Sequence, residues 1–410
     1  MEEKKVMKFK QIAIEVGKKM TEVYWGPMYR YIKEHETLLP SFTGFILKPS
    51  KLVFYFGRTH LAIEYYGPER ISKIQPAGES VLIYHDLTRS KSNFIEDIVG
   101  IKYDSTSPVA FPLPPFSEDL ILPTNDGIDK LVELKWNFAA QESILAINAG
   151  NYYIPEGSFT RLINSLFFDA DENGLKTRHI KWIDFIPLKY DDSHDDHDRF
   201  IIDFSGYTNL IIPDCHYIYP LPTNNDYKFS KLPRINRFIE LIANKNNNEP
   251  KITAFLAKQE NQFILTMAFL AKEVHHQLKC EWQSEKKDPI QPDFFIVSPN
   301  GYANIVEFKL PYLKSKAITG RTNRETFSAE VNSYISQTRT YKAYFEDPNN
   351  RIWFEKTYGF KVNHPRRILV AGRRWDFDNE EWRNILSDYI DIEILNYEDL
   401  IDGVVAQFYM

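Results

Sequence analysis

The sequence predicts two structural classes in one chain: a β-rich α+β region over residues 1–220 and an α/β domain over residues 249–410, a sheet with helices on its faces. Three observations carry this reading. Short aromatic or β-branched runs, punctuated by Gly, Pro, Asn and Asp, crowd the first half. A stretch rich in Pro and Asn, from Pro220 to Pro250, interrupts the chain. Beyond it, helix-period and strand-period segments alternate.

In the first half, Leu52–Phe56, His60–Tyr66, Ser80–Tyr84, Leu131–Trp136 and Phe200–Phe204 read as strands. Ser158–Phe168 reads as a helix. No internal repeat and no glycine-rich phosphate loop is present, so nucleotide hydrolysis by this chain is not expected. Residues 221–248 read as a connector. Its helix, Arg234–Ala243, carries Ile235, Phe238, Ile239 and Ile242 on one stripe, with Pro233 at its start.

Composition limits the function classes. A length of 410 residues suits two or three domains. Hydrophobic residues at 43% and charged residues at 26% exclude wholesale disorder. A net charge of -6 excludes a uniformly basic nucleic-acid coat, so only local charge can speak for such a partner. Two cysteines, Cys215 and Cys280, are too few for a disulfide framework or a Cys-rich zinc site. With the charged opening Met1–Lys10, they lead to an expected cytoplasmic location. No apolar run reaches the roughly 18 residues of a membrane span.

The chemistry concentrates in Gln291–Lys309. Two β-prone runs flank Pro299-Asn300-Gly301, residues suited to a type I turn closed by a left-handed glycine. A three-residue loop of this kind pairs Ser298 with Tyr302, and therefore Asp293 with Glu307, with Lys309 two residues on along the same face. A two-residue Asn-Gly turn would shift the register and send Asp293 to the opposite face. The flanking residues are apolar on both faces, which predicts central, buried strands. Two carboxylates about 4 Å apart there repel by about 4 kcal/mol at an effective dielectric of 20. A divalent cation converts that repulsion into binding. Oxygen ligands with open positions suit Mg²⁺. Lys309 is then placed to orient or deprotonate water, or to stabilise charge on a phosphate.

Pro292-Asp293 followed by Glu307-Phe308-Lys309 resembles the core of the PD-(D/E)XK nuclease superfamily. Gln337-Thr-Arg-Thr-Tyr341 resembles the Gln-x-x-x-Tyr element of several of its branches, and Glu249, opening a helix with Ile252, Phe255 and Leu256, resembles its first-helix Glu. The narrower resemblance, over about residues 245–410, is to the Shedu anti-phage family, whose later elements are matched by Ile368–Arg374 and Glu393–Leu400. Leu310-Pro311 departs from it where a basic residue often follows the lysine. The resemblance implies a restriction-endonuclease-like mixed sheet flanked by helices. It implies Mg²⁺ or Mn²⁺ held by Asp293, Glu307 and Glu249, with Lys309 assisting water and Gln337 positioning it or the substrate. It also implies a homo-oligomer, with a tetramer favoured.

Residues 311–375 hold thirteen Lys or Arg against five Asp or Glu, a net of +8, whereas residues 376–410 are net -9. A basic block beside the carboxylates suits phosphate-backbone binding, so Lys314, Lys316, Arg321, Arg324, Arg339 and Tyr341 are candidate DNA contacts. The bland reading is a solvated face paired with the acidic tail. Asp191–Asp198 has metal-ligand residues but reads as an acidic loop, and His275-His276 read as helix packing. The expected function is a Mg²⁺-dependent DNA endonuclease in phage defence, its activity sensed or restrained by residues 1–220. The alternatives are a catalytically inactive DNA-binding sensor and a repair or recombination nuclease.

Overall fold

A computed structural model describes residues 2–73, 80–91, 93–103, 110–138, 144–145, 152–191, 199–219, 227–284, 286–321, 324–377 and 379–409. The acidic stretch 192–198 and the linker residues 220–226 lie outside this set. The chain divides into two compact units, Met1–Ser230 and Lys231–Met410. No described helix is long and apolar enough to cross a membrane.

The first unit is built on a mixed sheet. Its described path runs Val81–Asp86, Lys51–Phe56, His60–Tyr66, Gly174–Asp191, Thr160–Asp171, Leu120–Pro123, Ile144–Leu145. Two local readings are corrected. Ser158–Phe168 is not a helix: Thr160–Asp171 is one arm of a long antiparallel hairpin with Gly174–Asp191. Both faces of this arm are buried, so its apolar residues lose the period-two signature and imitate a helical stripe. Gly174 turns the hairpin with φ +91, and Asn173 N–H caps Asp171 Oδ1 at 2.8 Å. Leu131–Trp136 is not a strand, because the helix Asn125–Glu133 runs into it, started by Thr124 Oγ1 accepting from Gly127 N–H at 2.9 Å. The opening of the chain is helical, Glu2–Met20 and Gly26–Glu34 around a π-helical turn at Thr21–Trp25. It buries Ala13, Val16, Met20, Tyr24, Met28 and Ile32 against the sheet.

The second unit carries the five-stranded sheet that places the candidate site. Its strands are β1 (Glu273–His276), β2 (Phe294–Val297), β3 (Ala303–Phe308), β4 (Arg367–Val370) and β5 (Ile392–Leu395), in that order. β1, β2 and β3 are antiparallel; β3, β4 and β5 are parallel. The helices are α1 (Tyr227–Ile242), α2 (Glu249–Ala257), α3 (Phe263–Ala268), α4 (Ala329–Glu346), α5 (Pro348–Tyr358), α6 (Asn379–Leu386) and α7 (Tyr397–Tyr409). This is a mixed α/β unit. Odd-numbered residues of β2 and β3, such as Phe295, Val297, Ala303 and Ile305, pack under α4 and α5. Phe294 and Phe308 face the other way, in a chain of ring contacts through Tyr397 to Phe238 and Phe255.

Two further readings change here. Pro233 lies inside α1 rather than before it, and Phe238 and Ile242 are fully buried. Hence the helix belongs to the second unit's core over most of its length. His275 and His276 stand on β1, on opposite faces, His275 stacked on Phe360 and His276 tilted against Phe294. A four-residue strand holding two polar imidazoles shows no period from which to read it.

Candidate metal centre

The hairpin turn acts as its residue types dictate. Gly301 sits at φ +83, Gly301 N–H donates to Ser298 O (2.9 Å), and Ser298 N–H donates to Tyr302 O (2.9 Å). The ladder follows as Val297↔Ala303 through Phe294↔Val306. One step further, Asp293 faces Glu307. There the backbone ladder gives way to side chains: Phe308 N–H donates to Asp293 Oδ2 at 2.8 Å, and Asp293 N–H to Glu307 Oε2 at 3.4 Å. Asp293, opposite Glu307 across the hairpin, and Lys309, two residues beyond Glu307, share with it the face covered by α4.

Glu249 arrives from α2, whose N-terminus is set by Asn248 Oδ1 accepting from Lys251 N–H and by Pro250 in the first turn. Among the described residues, Glu249, Asp293 and Glu307 each offer a carboxylate oxygen within 4.8 Å of the others. Lys309 Nζ donates to Glu307 Oε1 (2.8 Å) and Glu249 Oε1 (3.1 Å). Gln337, from α4, donates through Nε2 to the same Glu307 oxygen (2.7 Å) and to Tyr341 Oη (2.8 Å). Asp293, Glu307 and Lys309 are buried, while the Glu249 side chain keeps 31% of its exposure, so the centre opens on that side.

The electrostatics are those of an over-filled anionic pocket. Burial, then the facing Glu307 carboxylate, pushes Asp293 up to about 7. Burial also raises Glu307, with Lys309 pulling the other way. For Lys309, burial works to lower the pKa, but Glu307 and Glu249 outweigh it and raise it. With every group ionised, three carboxylates and one ammonium leave the cluster two charges negative. All three offered ligand atoms are hard oxygens, two buried and the third, on Glu249, on the open side, a donor set that fits Mg²⁺ or Mn²⁺ with water in the remaining positions.

The other candidates separate. Lys314, Lys316, Arg321 and Arg324 are exposed and make no ion pair with a described residue. They lie on the segment leaving Lys309 and on the small hairpin Ile318–Thr319/Thr326–Phe327. Arg339 is exposed but does not join the cluster: it lines a cleft of about 400 Å³ with Lys342, Arg367 and Asp391, at the opposite end of β4 from the residues beside Glu307. Tyr341 is buried, so it supports Gln337 and is not a surface contact. Much of the basic block is spent on the acidic tail, as Lys342–Asp391 (2.8 Å), Arg366–Glu393 (3.0 Å), Arg374–Asp402 (2.9 Å) and the pair of Arg373 with Glu398.

Sequence reading missed Tyr334 and Glu330. Counting back from Tyr341 and Gln337 in steps of three and four residues reaches both, so the signal was present as a helical stripe.

Residues 246–401 match the family model described as Shedu protein SduA, C-terminal. The second unit is of the Shedu family. The match spans α2 to the start of α7 and contains every residue of the cluster. Shedu membership points to anti-phage defence. No curated protein matches the chain.

Proposed function

We propose that the Shedu unit is a Mg²⁺- or Mn²⁺-dependent DNA endonuclease of the PD-(D/E)XK type, hydrolysing phosphodiester bonds in phage defence. The observation that carries this reading is the convergence of Asp293, Glu307 and Glu249 with Lys309 bonded to two of them. Asp293, Glu307 and Glu249 hold the cation. When bound, it polarises a phosphoryl oxygen and lowers the pKa of its water. Lys309, kept protonated by its two carboxylates, offers N–H donors to the attacking water or to a non-bridging oxygen. Gln337 fixes the Glu307 carboxylate from α4, and Tyr341 in turn holds Gln337. The exposed cations Lys314, Lys316, Arg321 and Arg324 supply sequence-independent phosphate contacts. In this reading the active form is a homo-oligomer, because one such centre cuts one strand and a duplex needs two. The test is incubation of purified protein with linear, nicked and supercoiled DNA in Mg²⁺, Mn²⁺ or chelator. Metal-dependent cutting lost in Lys309→Ala and Glu307→Ala supports the reading; binding without cutting by wild type turns the unit into a sensor.

A further inference from the structure

We propose that Glu330 is a positioning residue that holds the Lys314–Lys316 segment beside the metal cluster as a phosphate-binding element. The inference rests on the nucleic-acid reading above and deepens it. Glu330, Tyr334, Gln337 and Tyr341 fall at i, i+4, i+7 and i+11 on α4, which is one stripe of a helix. The far members of that stripe bond to Glu307 and to each other. The near members do something different. The Tyr334 ring lies 5.9 Å from Lys309 Nζ, and its hydroxyl donates to Glu330 Oε1 at 2.7 Å.

The Glu330 carboxylate in turn collects the segment that follows Lys309. It accepts Lys314 N–H (3.0 Å to Oε2), Ser315 N–H (3.0 Å) and Ser315 Oγ–H (3.0 Å). Burial of the carboxylate works to raise its pKa, and these donors outweigh that and lower it. Leu313 and Ala317 anchor the segment on either side in the core that contains Val331 and Ile335. Between those anchors Lys314 and Lys316 project as exposed cations without an ion pair to a described residue. Two exposed lysines on an untethered loop would each lose side-chain and backbone freedom on meeting a phosphate. With the backbone already tied to α4, the helix that also touches Glu307, only the lysine side chains remain to be ordered. One helix therefore sets both the metal carboxylate and the cations, and fixes their separation.

The experiment measures binding of a fluorescently labelled linear DNA duplex to the full chain by anisotropy, with Ca²⁺ in place of Mg²⁺, over a range of salt. Glu330→Gln keeps the size and removes the charge. It is expected to weaken binding about tenfold and to flatten the slope of log K against log salt by about 1.8, two phosphate contacts' worth. Lys314→Ala/Lys316→Ala is expected to do the same, and adding Glu330→Gln to that pair is expected to cost nothing more. In Mg²⁺, cleavage by Glu330→Gln is expected to show a KM raised about tenfold with kcat within about twofold of wild type. Ser315→Ala, which removes one donor and leaves the carboxylate, is expected to raise KM about two- to threefold with the same kcat. An unchanged salt slope in Glu330→Gln, an additive triple variant, or a fall in kcat at constant KM would overturn the assignment. If wild type itself binds no duplex, the function proposed above fails and takes this inference with it. If wild type binds and the Glu330 and Ser315 variants bind equally well, the positioning role alone fails.

Discussion

Each unit buries a cation among carboxylates, and the two clusters differ in how completely they are closed. In the first unit Arg161 donates to both oxygens of Asp184 (2.6 and 3.0 Å) and both of Asp214 (2.8 and 2.8 Å). Tyr207 and Trp182 also donate to Asp184, and Tyr24 donates to Asp214. All three charged groups are below 5% exposed. That cluster joins the π-turn, the hairpin and the helix Ile211–His216, and each of its four carboxylate oxygens accepts from Arg161. In the Shedu unit the single ammonium of Lys309 faces three carboxylates, and one of these reaches solvent. A buried ion cluster thus marks a site when its carboxylates outnumber their donors and one opens to solvent, and marks a structural tie when every carboxylate is paired with the cation and sealed from solvent.

The sharpest way to break this comparison is activity. Lys309→Ala, Glu307→Ala or Asp293→Asn should each lower Mg²⁺-dependent DNA cleavage by about 10²–10⁴-fold while the protein stays folded, measured by initial rates on plasmid alongside circular dichroism. Arg161→Met should act on stability instead. It strands two buried carboxylates and should cost about 3–5 kcal/mol in denaturant unfolding of the first unit. Equal activity loss and no destabilisation in Arg161→Met would erase the distinction.

Without metal, Asp293→Asn should do the opposite in the second unit. At pH 8 it removes a charge that burial and Glu307 disfavour, and should raise stability by about 1 kcal/mol while abolishing stabilisation by Mg²⁺. A destabilised Asn variant would place Asp293 in the structural class.

The pH response has a definite sign. With Asp293 raised to about 7 in the fold and at an ordinary carboxylate value in the unfolded chain, the metal-free native state binds the extra proton between these values. Its stability contribution is full below the unfolded pKa and is lost as pH rises through about 7. Metal binding must expel that proton. Mg²⁺ affinity should therefore climb up to tenfold per pH unit below about 7 and level off above it, which calorimetry in buffers of different ionisation enthalpy can follow. A flat profile from pH 5.5 to 8 would show that Asp293 is already ionised in the metal-free protein.

The legible and illegible parts divide along the same physical line. Pro299-Asn300-Gly301 allowed the hairpin register to be counted, and the observed ladder keeps that count. Local patterning misled where burial on both faces removed the period, as at Thr160–Asp171. It misled again where a cap decided between helix and strand, as at Thr124. The basic block was visible as composition, yet its pairing with the acidic tail was not, because Lys342 meets Asp391 across 49 residues. Gln337 and Tyr341 were recognised by resemblance; Tyr334 and Glu330 lie on the same stripe, but Tyr334 donates to Glu330 and Glu330 accepts from a segment whose path no local rule predicts.

What the order of residues determined unaided is the shared face of Glu307 and Lys309, and, for a three-residue turn, of Asp293 with them, because a strand alternates every two residues; the observed ladder shows that turn. The approach of Glu249 and Gln337 to that face was settled only by tertiary packing. They come from helices 58 and 30 residues away in sequence from Glu307, and no local geometry spans such gaps. The burial of apolar faces against the sheet sets them in place.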